Sequence, residues 1–239
     1  MIGNGKLLAL IPARGGSKRL PRKNILNFID KPLIAWTIES AIDSKYIDHV
    51  VVSTDNHEIS RISRQYGADV PFIRPDNISS DHSTSVEVVR HALNTLEEFG
   101  YHYDYVILLQ PTSPLRTAEH IDAAVKLFVA KDADAVISVT KTTSSPLWAN
   151  TIPKNGSMDN FLQENVENKR SQDLPIYYEL NGAIYLINSQ KILEENTFFL
   201  RKNVFSYQMG KLSSIDIDTN YDFFIASMIA RDGFIDDDI

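Results

Sequence analysis

The sequence predicts an α/β fold: a single domain on a mainly parallel sheet flanked by helices. Three observations carry this. Short, continuous apolar runs alternate with stretches whose apolar residues recur at helical spacing. Those runs are apolar at nearly every position, as strands buried on both faces must be, and their ends open into polar or basic loops. Finally, 239 residues with 43% apolar and 23% charged content suit one sizeable globular domain.

The first strand is read in Leu7-Leu8-Ala9-Leu10-Ile11, ending at Pro12, and a basic loop follows it. Over residues 32–44, Leu33, Ile34, Trp36, Ile38 and Ala41 recur as on one face of a helix. His49-Val50-Val51-Val52-Ser53 is a second buried strand, and Ile59, Ile62 and Tyr66 mark a helix closed by Gly67. Residues 72–85, rich in Pro, Asp and Ser, form a long loop, after which Thr84 or Ser85 caps a helix with Glu87 near its start. That helix carries Val88, Val89, Ala92, Leu93 and Leu96 on one face and stops at Gly100. A strand at 105–109, a helix through Ile121, Ala124, Val125 and Phe128, and a strand at 135–139 continue the alternation.

The period then fails over about 142–180, a polar stretch holding Pro146, Pro153 and Pro175. So long a run without an element is unusual inside a compact domain and is read as an insert packing on a second subunit. The sheet resumes at 182–187, a further strand is expected at 204–209, and a last helix at 221–230. The tail Asp236-Asp237-Asp238 reads as solvated and non-functional.

The absence of cysteine excludes disulfides, thiolate metal sites and Cys nucleophiles, and fits a reducing compartment. A net charge of −7 argues against nucleic acid as the main partner. No apolar run approaches the roughly 18 residues of a membrane span, so no membrane partner and a cytoplasmic location are expected. Neither a Walker A loop nor a G-x-G-x-x-G fingerprint follows the first strand, which disfavours P-loop ATPases and Rossmann dehydrogenases. The six histidines, at 49, 57, 82, 91, 102 and 120, show no metal-ligand spacing.

Chemistry concentrates in Arg14-Gly15-Gly16-Ser17-Lys18-Arg19-Leu20-Pro21-Arg22-Lys23-Asn24, where five of eleven residues are Lys or Arg. Paired glycines let backbone N–H groups approach an anion and the cations neutralise it, although a solvated basic loop would read the same way. In open α/β sheets ligands bind beyond the carboxyl ends of the strands. The basic loop, Asp55 and Gln110-Pro111-Thr112-Ser113-Pro114-Leu115-Arg116 all fall there, which favours a pocket. Asp55 itself could contact a ribose or a metal or cap the next helix, the cap preferred. Asp216 and Asp218 share one face of an extended segment, within reach of one or two hard cations, or else they are surface aspartates facing water before a helix. Trp148 and Tyr177-Tyr178 could stack on a sugar or fill a subunit interface, the latter preferred.

Together these motifs resemble one family: the cytidylyltransferases that activate sialic acids and related nonulosonic acids as CMP-sugars. Ile11-Pro12-Ala13-Arg14-Gly15-Gly16-Ser17-Lys18 with Pro21 and Lys23-Asn24, Leu109-Gln110-Pro111-Thr112-Ser113-Pro114-Leu115-Arg116, Asn181-Gly182-Ala183-Ile184-Tyr185 and Ile215-Asp216-Ile217-Asp218-Thr219 look like its motifs, in order, from about residue 6 to 230. The resemblance implies a glycosyltransferase-A-like nucleotidyltransferase fold and a homodimer built through the insert. It implies CTP plus a nonulosonic acid giving CMP-sugar and pyrophosphate, with a place in lipopolysaccharide or capsule biosynthesis. Arg14, Gly15, Gly16, Ser17, Lys18, Lys23 and Asn24 would then hold the nucleotide, with Arg74 and the Asp81–Ser85 loop, Ser83 and Ser85 among it, at the cytosine and ribose. Gln110, Tyr185, Phe198 and Phe199 would meet the sugar. Asp216 and Asp218 would carry Mg²⁺, with Mn²⁺ an alternative, and Arg14 and Lys23 would stabilise departing charge.

Two departures bear on the acid. Trp148 follows Pro146-Leu147 where relatives acting on N-acetylneuraminic acid can carry Lys, and Glu179 stands where they can carry a basic residue. Both losses of positive charge turn the expectation towards legionaminic or pseudaminic acid. A Kdo or sugar-phosphate nucleotidyltransferase, and a non-catalytic nucleotide sensor, are the competing readings.

Overall fold

The computed structural model describes residues 2–233, so the acidic tail Asp236-Asp237-Asp238 lies outside the described residues. Strand β1 (Leu7–Pro12) is fully buried from Leu7 to Ile11. A single 3₁₀ turn (Lys23–Ile25) and a short hairpin, β2 (Asn27–Phe28) with β3 (Lys31–Pro32), lead into helix α1 (Leu33–Ile42). β4 (His49–Ser53), α2 (His57–Gln65), α3 (Ser85–Glu98), β5 (Tyr105–Leu108), α4 (Ala118–Ala130) and β6 (Ala135–Lys141) follow. After the insert come β7 (Tyr178–Asn188), α5 (Ser189–Glu195), β8 (Val204–Gln208) and α6 (Asn220–Asp232). None of the described helices is long and apolar enough to cross a membrane.

Six strands form one sheet in the order β4-β1-β5-β7-β6-β8. Period-two alternation divides β1 between two cores: Leu7, Ala9 and Ile11 face α1 and α4, whereas Leu8 and Leu10 face α3. Helices α3 and α4 bury the stripes their spacing predicts, Val88, Val89, Ala92, Leu93 and Leu96 in one and Ile121, Ala124, Val125 and Phe128 in the other, whereas α6 buries only Ala226. Thr84 caps α3 in a reciprocal pair with Glu87, whose carboxyl is held below its usual range by the Thr84 backbone and hydroxyl. A third, smaller core gathers Leu20, Phe28, Leu33, Ile217 and Ala226 beneath the hairpin and α6.

The mainly parallel expectation meets one reversed strand. β4, β1 and β5 are parallel, as are β6 and β8, but β7 runs antiparallel to both its neighbours. The insert explains the reversal. β6 leaves the sheet at its carboxyl edge, and the excursion closes on itself there, with Lys141 opposite Tyr178 and the Thr142 N–H donating to the Tyr177 carbonyl at 2.9 Å. No crossover helix carries the chain back to the other edge, so the next strand must run the opposite way. β7 starts at Tyr178, four residues ahead of the expected position. Within the insert only two 3₁₀ turns (Pro146–Trp148 and Ser171–Asp173) form, and Ile152, Met158 and Ile176 are exposed.

Arg116 locks the layers together. It is 1% exposed and, among the described residues, has no carboxylate partner. Nη1 donates to the carbonyls of Gln110 (3.1 Å) and Ala183 (2.9 Å), and Nη2 donates to Thr37 Oγ1 (2.8 Å). Burial pushes its pKa down to about 9, which leaves it charged at neutral pH. One guanidinium thereby joins the loop after β5, strand β7 and helix α1. Arg116→Ala strands three buried acceptors and is expected to cost roughly 3–5 kcal/mol in urea denaturation. A loss under ~1 kcal/mol would mean that water replaces the guanidinium without penalty.

Candidate active site at the carboxyl edge of the sheet

The loops after β1 and β5 and the loop between α2 and α3 meet Asp218 at one edge and enclose a cavity of about 340 Å³. Its cations are Arg14, Lys18, Arg19 and Lys23 from the first loop and Arg74 from the loop before α3. Ser17, Asn24, Ser83, Ser85, Gln110 and Thr112 add polar groups. Arg74 is 3% exposed, and its Nε donates to Ser79 Oγ at 3.1 Å. Burial, and to a lesser degree the charge of Arg14, lower its pKa, against the opposing charge of Asp55.

Local hydrogen bonds shape the basic loop before any ligand is considered. The Ala13 N–H donates to the Ser53 carbonyl (3.0 Å), and Asn24 Nδ2 donates to the Arg14 carbonyl (3.0 Å). Asn24 Oδ1 is buried with no partner. Arg22 sits at φ +58° and grips Glu58 with Nη2 at 2.8 and 2.9 Å.

Two expectations are corrected here. Asp55 does not cap α2: Asn56 does, accepting from the N–H groups of Glu58 and Ile59. Asp55 instead accepts the Gly15 N–H at 2.8 Å, so that amide serves the loop and not an anion. Gly15 is required for a different reason, because a Cβ there would lie 2.8 Å from Asn56 Nδ2. Gly16 faces open space.

The aspartate segment is extended but unpaired, and its backbone is held from both sides. The Ile217 N–H donates to the Thr112 carbonyl (2.8 Å), and Lys23 Nζ donates to the Ile217 carbonyl (2.6 Å). With Ile217 fully buried, Asp216 and Asp218 turn outward. Asp218 pairs with Lys23 (2.9 Å) and Arg19 (2.8 Å). The Asp216 carboxyl lies above its usual range, mainly through the surrounding protein atoms and further through the charge of Asp218, against a hydrogen bond from Thr112 and the charge of Lys23. Among the described residues no group of three or more His, Cys, Asp or Glu is arranged around a metal position. Two carboxylates beside a phosphate-sized basic cavity do fit Mg²⁺, which commonly takes one or two carboxylates plus substrate phosphates.

Asp218 lines the first cavity, and Asp216 lines a second of about 400 Å³, with Gln110 shared between them. Thr140, Glu179, Gly182 and Tyr185 are among its other walls, and no cation among the described residues lines it. Burial, then the charge of Asp216, raise the Tyr185 pKa. The register shift between Ile137 and Val139 opposite β7 makes a bulge at Asn181-Gly182, with Gly182 at φ +73°. Buried Asn181 accepts from Ser138 Oγ (2.6 Å) and donates to Ser214 Oγ (2.9 Å), two residues before Asp216. This motif therefore positions the aspartate segment. Phe198 is placed differently from the expectation: at 4% exposure it packs behind Tyr185, ring centroids 5.2 Å apart, and only Phe199 is exposed.

Solved structures share this architecture. The structure of CMP:2-keto-3-deoxy-manno-octonic acid synthetase complexed with CTP superposes with a TM-score of 0.71 over 96% of this chain and 100% of that one, at 15% identity, a likeness of fold. Curated relatives are nearer in sequence. N-acylneuraminate cytidylyltransferase of Escherichia coli is 38% identical over 95% of this chain, which spans 52% of that protein's length. CMP-N,N'-diacetyllegionaminic acid synthase of Legionella pneumophila is 37% identical over 91% of this chain and 93% of its own. Pseudaminic acid cytidylyltransferase of Campylobacter jejuni is 35% identical over 95% and 97%. Residues 8–227 match the family described as cytidylyltransferase. With that match covering the strands and loops that build both cavities, the chain belongs to the cytidylyltransferase family.

Proposed function

We propose that the protein transfers the cytidylyl group of CTP to a nonulosonic acid, giving the CMP-sugar and pyrophosphate. The observation that carries this reading is the pairing of a strongly basic cavity with a cation-free one across Gln110, with Asp218 on one side and Asp216 on the other. Arg14, Lys18 and Lys23 hold the triphosphate. Arg74, Ser83 and Ser85 face the nucleoside, and the unpartnered Asn24 Oδ1 suits a ligand hydroxyl. The acid lies in the second cavity against Gln110 and Tyr185, its anomeric hydroxyl directed at the α-phosphorus for in-line displacement. Positioning and charge neutralisation supply most of the acceleration, and Arg14 and Lys23 stabilise the departing pyrophosphate. Mg²⁺ held by Asp216 and Asp218 would supply charge stabilisation at the α-phosphate.

Glu179 and the lack of a lining cation in the second cavity favour a diamino acid of the legionaminic or pseudaminic type. The exposed apolar residues of the insert support a homodimer, with Trp148 and Tyr177-Tyr178 near its surface. A cytoplasmic location accords with a CTP substrate.

Three outcomes are expected. In a pyrophosphate-release assay with Mg²⁺, CTP and a panel of nonulosonic acids should support turnover while ATP, GTP and UTP do not. Failure of every acid in the panel to support release would remove the proposal, and release with Kdo alone would redirect it to that substrate. Asp218→Ala should lower kcat roughly a hundredfold or more with the fold retained by circular dichroism; near-parental release would remove Asp218 from the chemistry.

The third concerns pH. The folded state holds the Asp216 carboxyl above its usual range, so ionising it opposes folding at neutral pH. That opposition is absent once both states are protonated, below the unfolded value of about 3.9. Asp216→Asn is therefore expected to melt at a higher temperature than the parent at pH 7, the gain vanishing as pH falls below ~3.9. A lower melting temperature at pH 7 would show that the carboxylate makes net favourable contacts.

A further inference from the structure

One carboxylate in the basic cavity has no part in the reaction as described. Asp81 stands on a turn closed by the Ser83 N–H to the Ser80 carbonyl (3.2 Å) and the Ser80 N–H to Ser83 Oγ (3.0 Å). Behind the turn, Arg74 Nε binds Ser79 Oγ, and ahead of it Thr84 caps α3, so the arm is anchored on both sides. It reaches across to the first loop. Arg14 Nη2 lies 2.7 Å from Asp81 Oδ1, and Lys18 Nζ pairs with Oδ2. The hydrogen bond from Lys18, then that from Arg14, holds the Asp81 carboxyl below the usual carboxylate range.

These are two of the cations that take the triphosphate under the proposed function, on which this inference rests. Ion pairs this exposed contribute little to stability, since the Lys18 side chain is 80% accessible. Their consequence lies in binding. A donor already engaged by a carboxylate must give it up, or share it, when a phosphate arrives, and the displaced carboxylate then repels the newcomer. We propose that Asp81 is an internal competitor of the polyphosphate for Arg14 and Lys18, and that it weakens the grip on pyrophosphate so that this product leaves after turnover. Asp81 touches no reacting atom. It is a positioning residue acting through two cations, and it trades affinity for release.

The test is titration calorimetry of inorganic pyrophosphate against the purified full chain with Mg²⁺ present, for the parent, Asp81→Asn, Asp81→Ser and Asp81→Glu. Both neutral variants are expected to bind pyrophosphate roughly three- to tenfold more tightly at low salt. The gain should collapse towards 1 M salt, where the screening length falls to about 3 Å. Asp81→Glu, keeping the charge, should stay within about twofold of the parent. In turnover with CTP, pyrophosphate should become a stronger product inhibitor of the neutral variants by the same factor, a change that a purely structural role would not produce. Equal or weaker binding by the neutral variants, or no pyrophosphate binding by any form, overturns the inference. Failure of the parent to turn over CTP would remove the proposed function while the pyrophosphate comparison stayed readable. Unchanged affinity in variants of an active parent removes this inference alone.

Discussion

A single buried guanidinium organises the carboxyl edge of the sheet. Arg116 has no carboxylate to neutralise it, and spends its hydrogen bonds on the carbonyls of Gln110 and Ala183 and on the Thr37 hydroxyl. Hydrogen bonds offset the cost of burying such a group: Nη1 and Nη2 are engaged while Nε has no partner, and the acceptors come from three separate elements. Gln110 is the residue shared by the two cavities, and Ala183 follows the bulge that holds the aspartate segment. Placement of both cavities thus depends on one side chain that lines neither.

Around that anchor the site is arranged by charge. Every cation of the basic loop that bears on the cavity has an acid close by: Arg14 and Lys18 meet Asp81, and Arg19 and Lys23 meet Asp218. This lets five cations, with Arg74, gather in one cavity of a net-acidic protein without strong mutual repulsion. The pairs of Lys18 and Arg19 lie close to solvent, where exchanging a carboxylate for a phosphate is inexpensive, whereas Lys23 is mostly buried. Asp216, in contrast, has its carboxyl raised by its protein surroundings first and by the like charge of Asp218 second, a cost that a bound cation would offset.

The insert and the reversed strand belong together. Because the excursion closes at the edge where it opened, β7 enters antiparallel and brings Asn181 and Gly182 to the ligand edge, where a parallel strand would have placed its start at the far side. The Asn181 bridge to Ser138 and Ser214 then fixes the approach to Asp216. Reversal of one strand is what allows a second cavity to stand beside the first.

The sequence by itself determined the elements and most of the site's membership. Continuous apolar runs and helical spacing are local signals, and so is a cluster of cations after a strand, so β1, β4, β5 and α1 to α4 fell within a few residues of their expected places. Arg14, Lys18, Lys23 and Asp218 stood out for the same reason, as charges in a pattern, and Arg74 through the family resemblance. Only the tertiary structure decided the partners. Asp55 read as a helix cap because capping is judged from neighbours in sequence, yet its carboxylate is taken by Gly15, forty residues away. Phe198 read as a sugar contact, but burial behind Tyr185 is a property of the packed layers. Asp81 and Arg116 stood in stretches that the family resemblance marked, but it did not mark their pairings, since an ion pair or a hydrogen bond across the sheet edge exists only once loops far apart in the chain have met.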